Sequence, residues 1–171
     1  MNIVLFEPEI PFNTGAIGRT CVATGTKLHL IRPYGFRIND RELKRAGLDY
    51  WKKLNLAEYN NYQDFIERNH VFSTGKEQKL WYATTKARQT YADVSYGAED
   101  FIMFGKESAG IPEEILISDP SACIRIPMYG EERSLNLSNA VSIILYEALR
   151  QNGFDGMEKA GELHRLSWER E

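Results

Sequence analysis

Three polar loops hold most of the chemistry that this chain can offer. Residues 84–86 read Thr-Thr-Lys, residues 105–110 read Gly-Lys-Glu-Ser-Ala-Gly, and the stretch 128–136 carries Met128, Ser134, Leu135 and Asn136. Each loop follows a short apolar run: LWYA before Thr84, FIMF before Gly105 and IRI before Pro127. Loops of this kind present backbone amides and carbonyls rather than many charged side chains. That suits a small ligand with an adenine and a ribose, seated beyond the carboxyl ends of strands. A fourth stretch, residues 13–19, is rich in small residues and ends on a cation, Arg19. It has a GxxG spacing but no GxGxxG and no phosphate-loop lysine, so it is not a dinucleotide fingerprint. A fifth, residues 32–53, holds seven basic and three acidic side chains, interleaved with Tyr34, Phe36, Tyr50 and Trp51. Such a mixture can grip phosphates and stack on bases. It fits a solvated helix face equally well.

Other residue types exclude chemistry. His29, His70 and His164 share no ligand spacing, and Cys21 and Cys123 form no CxxC pair. No metal site is expected, and the thiols are expected to stay reduced in a cytoplasmic protein. A net charge of −3 weighs against a general nucleic-acid binder, although the average hides +4 over residues 32–53 and −7 elsewhere. No apolar run reaches the roughly 18 residues of a membrane span. The N-terminus MNIVLFEPEI has no basic flank and reads as a strand rather than a signal peptide.

The elements that must position these loops follow from periodicity. Apolar runs predict strands over 3–6, 27–31, 54–59, 80–84, 101–104 and 122–126. A helix is expected over 13–23, capped by Asn13 or Thr14 and closed by Gly25. Gly15 and Gly18 in its first turns cost about 1 kcal/mol each relative to alanine. They serve either a close approach by another chain or ligand, or tight packing on a neighbour. Short helices are expected over 40–46 and 62–68. Pro112 suits a first helical position, with Glu113 and Glu114 favourable in the first turn. The longest helix follows residue 136, with apolar side chains at Val141, Ile144, Leu145, Ala148 and Leu149. Ser134, Asn136 and Ser138 are its candidate caps, and Gly153 can end it in a left-handed turn. Strands alternating with helices predict an α/β fold: a mostly parallel sheet with helices on both faces. If the strands ending near Ala83, Phe104 and Ile126 are neighbours, their loops converge on one crevice. The chain is read as one domain over 1–171, with a core to about 153 and a charged, helical tail over 154–171.

Three of these stretches resemble the motifs of SPOUT-class RNA 2′-O-methyltransferases. They are Asn13-x-Gly15-x-x-x-Arg19, Phe104-Gly105-x-Glu107-x-x-Gly110-Ile111-Pro112, and Ile126-Pro127-Met128 with Ser134-Leu135-Asn136-Leu137-Ser138-x-Ala140. The order and spacing, with Arg45-Ala-Gly-Leu-Asp-Tyr50 and Thr84-Thr85-Lys86, are most similar to the small single-domain TrmL (YibK-like) group. The likeness runs from Met1 to about Gly153. Three positions depart from the group: Phe12 for a usual proline, Gly18 for a larger apolar residue, and Lys106 for proline or asparagine.

The resemblance implies a SPOUT α/β-knot, with the C-terminal segment threaded as a trefoil knot. General connection rules would not suggest this. It also implies an obligate homodimer, tRNA as the partner, and S-adenosyl-L-methionine as the cofactor, without metal or membrane. By position, Ala83, Thr84, Gly105, Ile126, Met128, Ser134 and Leu135 would contact the cofactor, and backbone groups at 83, 105 and 126 would hold the adenine. Glu107 joins this set, ordering the loop or facing the nucleotide rather than acting as a base. The implied reaction is in-line attack of a wobble ribose 2′-oxygen, on cytidine or uridine of leucine tRNAs, at the sulfonium methyl. Arg19 would be offered to the partner subunit's ligand. An arginine stays protonated below a pKa of about 12, so its expected role is to hold a phosphate and stabilise the developing oxyanion. Ser134, Asn136 and Tyr146 complete the candidate catalytic set, although capping suits Asn136 and interface packing suits Tyr146 equally. Arg41, Lys44 and Arg45, with Arg19, are the expected RNA contacts. Alternatives are a 2′-O-methyltransferase of another tRNA position or of rRNA, or a non-catalytic RNA-binding SPOUT module.

Overall fold

The computed structural model describes residues 1–36, 49–72, 78–130 and 134–168. Six strands in the order β3-β2-β1-β5-β4-β6 form one sheet, and every pairing is parallel. They are β1 Asn2–Phe6, β2 Lys27–Ile31, β3 Leu56–Tyr59, β4 Leu80–Ala83, β5 Phe101–Phe104 and β6 Cys123–Ile124. The strands at 2–6, apolar from Ile3 onward, and 101–104, apolar throughout, are buried at every residue, as strands covered on both faces must be.

Chain order explains the layers. From β1 the chain steps outward to β2 and β3, with helix α1 (Pro11–Thr24) in the first crossover. It then returns past β1 to β4, with helix α2 (Tyr62–Asn69) in that crossover. Right-handed crossovers running in opposite directions place their helices on opposite faces. Phe65 of α2 packs edge-on against His29, Tyr59 and Phe101 on its face. After β5, a single-turn helix α3 (Glu113–Leu116) leads to β6 at the far edge, and α4 (Leu137–Gln151) comes back to pack against α1. Leu5 is level with Phe104, Phe104 with Ala83, and Ala83 with Ile124. The loops after β5, β4 and β6 therefore leave the sheet side by side.

Local chemistry sets the ends of the helices. Asn136 caps α4, its Oδ1 accepting from Ser138 N at 3.0 Å and Asn139 N at 3.4 Å. Gly153 follows the end of α4 at φ +69°, where an L side chain is strained. Gly25 closes α1 at φ +66°. The expected cap at Asn13 or Thr14 is corrected. The helix starts at Pro11, two residues earlier, and no side chain caps it. Proline lacks the N–H that would go unpaired there, so the first turn tolerates it, and Asn13 is free for another use.

Other expectations shift. The third strand starts at Leu56, because Asp49–Lys53 forms a 3-10 turn and Leu54 N donates to Trp51 O. Pro112 sits at the cap of α3 rather than at its first helical position. The last strand shrinks from 122–126 to two residues, and Arg125 bridges only Thr90. The helix expected in the tail does not form over 154–168, where turns, bends and irregular backbone leave almost every residue exposed. Glycines at 153, 156 and 161 and the lack of a packed apolar face give a short helix nothing to hold it. The helix expected over 40–46 lies outside the described residues. Among the described residues no helix is long and apolar enough to cross a membrane.

Candidate active site

A cleft of about 610 Å³ opens where the loops after β4, β5 and β6 meet. Its floor is main chain. A Cβ on Gly105 would overlap the Gly110 carbonyl carbon and the Ile111 nitrogen, so no side chain fits there. The loop doubles back because Gly110 adopts φ +71° and donates its N–H to the Lys106 carbonyl at 2.8 Å. Across the cleft, Thr84 N donates to Ile124 O at 2.9 Å and ties the β4 loop to β6. Ile124, Ile126, Met128, Leu135, Leu137 and Ile144 make the apolar walls.

Carboxylates lock the rim. Glu107 accepts from Glu9 N at 2.8 Å, Ile10 N at 3.3 Å and Asn13 Nδ2 at 2.9 Å. In return Glu9 accepts from the Ser108 N–H and hydroxyl, each at 2.8 Å. The Ser108 hydroxyl and amide hold the Glu9 carboxyl below its usual range. Lys106 pairs with Glu7 at 2.8 Å, and that hydrogen bond raises the ammonium pKa. Five contacts of carboxylates with backbone amides, a hydroxyl and the Asn13 side-chain amide, plus one ion pair, thus staple the β1–α1 segment to the β5 loop. With both oxygens occupied as acceptors, Glu107 orders these loops. At the opposite lip Lys86 reaches Glu113 at 2.7 Å, and this lowers the Glu113 pKa.

One buried amide connects the loops to α4. Asn13 is 3% exposed. Its Nδ2 donates to Glu107 and its Oδ1 accepts from Asn136 Nδ2 at 3.0 Å. Asn136 in turn caps α4. Sequence reasoning gives Asn13 a capping role and so misses this junction. The available signal was its place at the head of the first motif.

All eight expected cofactor residues, Ala83, Thr84, Gly105, Glu107, Ile126, Met128, Ser134 and Leu135, line this one cleft, as does Asn136. Arg19 and Tyr146 do not. Arg19 lies on α1 six residues beyond Asn13, about 9 Å along the helix axis. It is exposed, with its guanidinium 5.9 Å from the Tyr50 ring centroid. Tyr146 is exposed on α4. Arg41, Lys44 and Arg45 lie outside the described residues. Ile10, Lys86, Ala140 and Ile144 also line the cleft, without having been expected there. Of the two readings for Gly18, close packing holds: Trp51 and Leu54 sit over its Cα. Among the described residues no group of three His, Cys, Asp or Glu could hold a metal ion. The cleft fits an adenosine-bearing sulfonium. Its backbone floor suits a flat heterocycle with hydrogen-bonding edges, and its apolar walls suit the thioether carbons.

Residues 1–146 match the SpoU rRNA methylase family. A Yersinia pestis tRNA (cytidine(34)-2′-O)-methyltransferase is 48% identical over 157 residues, covering 91% of this chain and 96% of its own. A solved structure concerned with the 2-OH methylation of C/U34 on tRNA superposes with a TM-score of 0.80 at 39% identity, covering 89% of this chain and 95% of the other. An AdoMet-bound rRNA methyltransferase from Sinorhizobium meliloti gives a TM-score of 0.73 at 28% identity, covering 87% of this chain and 55% of its own.

Proposed function

The chain belongs to the SpoU rRNA methylase family, and on that footing we propose that it methylates the 2′-oxygen of nucleotide 34, cytidine or uridine, in tRNA, using S-adenosyl-L-methionine. Leucine tRNAs are the proposed substrates. The observation that carries this reading is the convergence of eight expected cofactor residues, from three separate loops, on one cleft with a main-chain floor. When bound, the cofactor supplies a methyl group on a sulfonium, an activated leaving group that needs no metal. Ala83, Gly105 and Ile126 hold the adenine through backbone groups, while Met128, Ser134 and Leu135 close over the rest. Glu107 and Asn13 keep the rim in place, and Asn136 joins it to α4.

Arg19 supplies the charge. As a permanent cation it grips the phosphate next to the target ribose and stabilises the oxyanion that develops on the 2′-oxygen. Because it does not line its own chain's cleft, we assign it to the cleft of a second copy. Phe12, 71% exposed, with Ile143 and Tyr146, leaves apolar surface on the packed pair α1 and α4. That surface supports a homodimer. The trefoil knot of the C-terminal segment belongs to the same reading. The basic segment 32–53, which includes the exposed Lys52 and Lys53, is the proposed tRNA-binding surface.

Mass-spectrometric mapping of ribose methylation in total tRNA, with and without the protein, tests the assignment, together with tritium transfer from labelled cofactor. The expected result is a methyl group on nucleotide 34 of leucine tRNAs, lost in Arg19→Ala while calorimetry still shows S-adenosylhomocysteine binding. Methyl transfer to another tRNA position or to rRNA would overturn the substrate. Full turnover by Arg19→Ala would remove Arg19 from its role.

A further inference from the structure

Arg19 leaves α1 on the face that carries Gly15, one turn earlier, and lies beside Gly18. The 3-10 turn Asp49–Lys53 covers this face. The Tyr50 hydroxyl donates to the Gly15 carbonyl at 2.7 Å. In an α-helix that same carbonyl accepts from the N–H of residue 19, so Tyr50 is anchored at the base of the arginine. Its ring then lies against the guanidinium, 5.9 Å from centroid to Cζ. Burial raises the Tyr50 pKa, with Arg19 offsetting part of the shift, so the hydroxyl remains a neutral donor. Trp51 seats the turn. A Cβ on residue 18 would stand 2.9 Å from Trp51 Cζ3 and 3.4 Å from Leu54 Cδ2. Glycine at 18, a departure from the related group, makes room for this indole. Among the described residues no ion pair holds Arg19.

We propose that Tyr50 is a positioning residue for Arg19: the hydroxyl fixes the ring on the Gly15 carbonyl, and the ring sets the direction in which the guanidinium is offered. The inference rests on Arg19 being the cation offered to the reacting ribose. An aromatic face attracts a guanidinium and favours a stacked geometry, which removes much of the freedom of a long exposed side chain. The turn forms the last five residues of the basic segment and ends on Lys52 and Lys53. RNA seated on that segment therefore bears on the element that aims Arg19.

The test is a single-turnover methylation rate with saturating tRNA and S-adenosyl-L-methionine, read beside calorimetric S-adenosylhomocysteine affinity. Tyr50→Met keeps the bulk but loses the aromatic face. We expect its rate to fall about 10- to 100-fold, the scale of a misplaced catalytic group, with cofactor affinity within about twofold. Tyr50→Phe keeps the face but loses the anchor on the Gly15 carbonyl, so its rate should fall between those of the wild type and Tyr50→Met. Progressively fluorinated phenylalanines at position 50 keep shape and fold while weakening the ring's negative face, and the rate should fall along that series. Arg19→Ala and Arg19→Ala with Tyr50→Met should be equally slow, because Tyr50 acts only through Arg19. A flat fluorination series, a wild-type rate in Tyr50→Met, or a double variant slower than Arg19→Ala by the full Tyr50→Met factor would overturn the proposal. A fully active Arg19→Ala would instead bring down the assignment of Arg19, and Tyr50's role with it.

Discussion

Replacing His29 with glutamine should flatten the acid side of this protein's stability curve. His29 sits in the middle of β2 and is 1% exposed. Its Nε2 faces Asn2 Oδ1 at 3.1 Å, and its Nδ1 faces the Tyr59 hydroxyl at 2.7 Å. Asn2 Nδ2 donates to Glu99 O, so Oδ1 is the atom turned to the ring and Nε2 must carry the proton. Nδ1 is then an acceptor, and the ring is neutral. Burial, with a smaller push from Lys27, lowers its pKa from 6.5 to about 3. A depressed pKa means that the unfolded chain takes up the proton first. The stabilisation is complete above 6.5 and is lost as pH falls from there toward about 3. At about 1.4 kcal/mol per pH unit, the drop between about pH 7 and about pH 5 is about 2 kcal/mol. The carboxyls of Glu9, Asp93, Glu113 and Glu147 are held low by their hydrogen bonds. Their losses begin only below ordinary carboxylate pKa values, outside this window. Urea unfolding followed by circular dichroism, at one fixed protein concentration, reads the difference. The wild type should lose about 2 kcal/mol, and His29→Gln should lose almost none, whatever its absolute stability. A flat wild-type curve, or an unchanged slope in the variant, would refute the neutral buried imidazole.

Three further outcomes follow from the site. Gly105→Ala places a methyl group on the Gly110 carbonyl carbon and Ile111 nitrogen, so calorimetry should find no S-adenosylhomocysteine binding while the protein remains folded. Asn13→Ala removes the partner of both Glu107 and Asn136; at about 1–3 kcal/mol for buried groups left unpaired, cofactor affinity should weaken about tenfold or more. An unchanged dissociation constant would show that the rim does not depend on this amide. Ile143→Glu puts a charge into the exposed apolar surface of α4 that the proposed homodimer would use; if that proposal holds, sedimentation should show the wild type as a dimer and the variant as a monomer without methyl transfer.

Much of this architecture is local in origin and could be read along the chain. The runs at 27–31 and 101–104 are strands over those same residues because both are short, the first alternating and rich in apolar residues and the second apolar throughout. Val141, Ile144, Leu145 and Ala148 repeat at helical spacing, and all are buried. Asn136 and Gly153 cap through chemistry within a few residues of themselves. The three-loop crevice was legible as a condition, that the strands be neighbours. The sheet order meets that condition, placing β5, β4 and β6 side by side.

What the folded chain alone decided are contacts between residues far apart in sequence. Asn13 meets Glu107 and Asn136 across 94 and 123 residues, and nothing in its neighbourhood distinguishes a junction from a cap. Gly18 needs to be small because Trp51 arrives from a separate turn. The tail lost its expected helix because propensity without a packed face does not hold a short helix in water. Periodicity reports which side of an element is apolar, whereas the partner of each polar atom is set by where the sheet brings distant loops together.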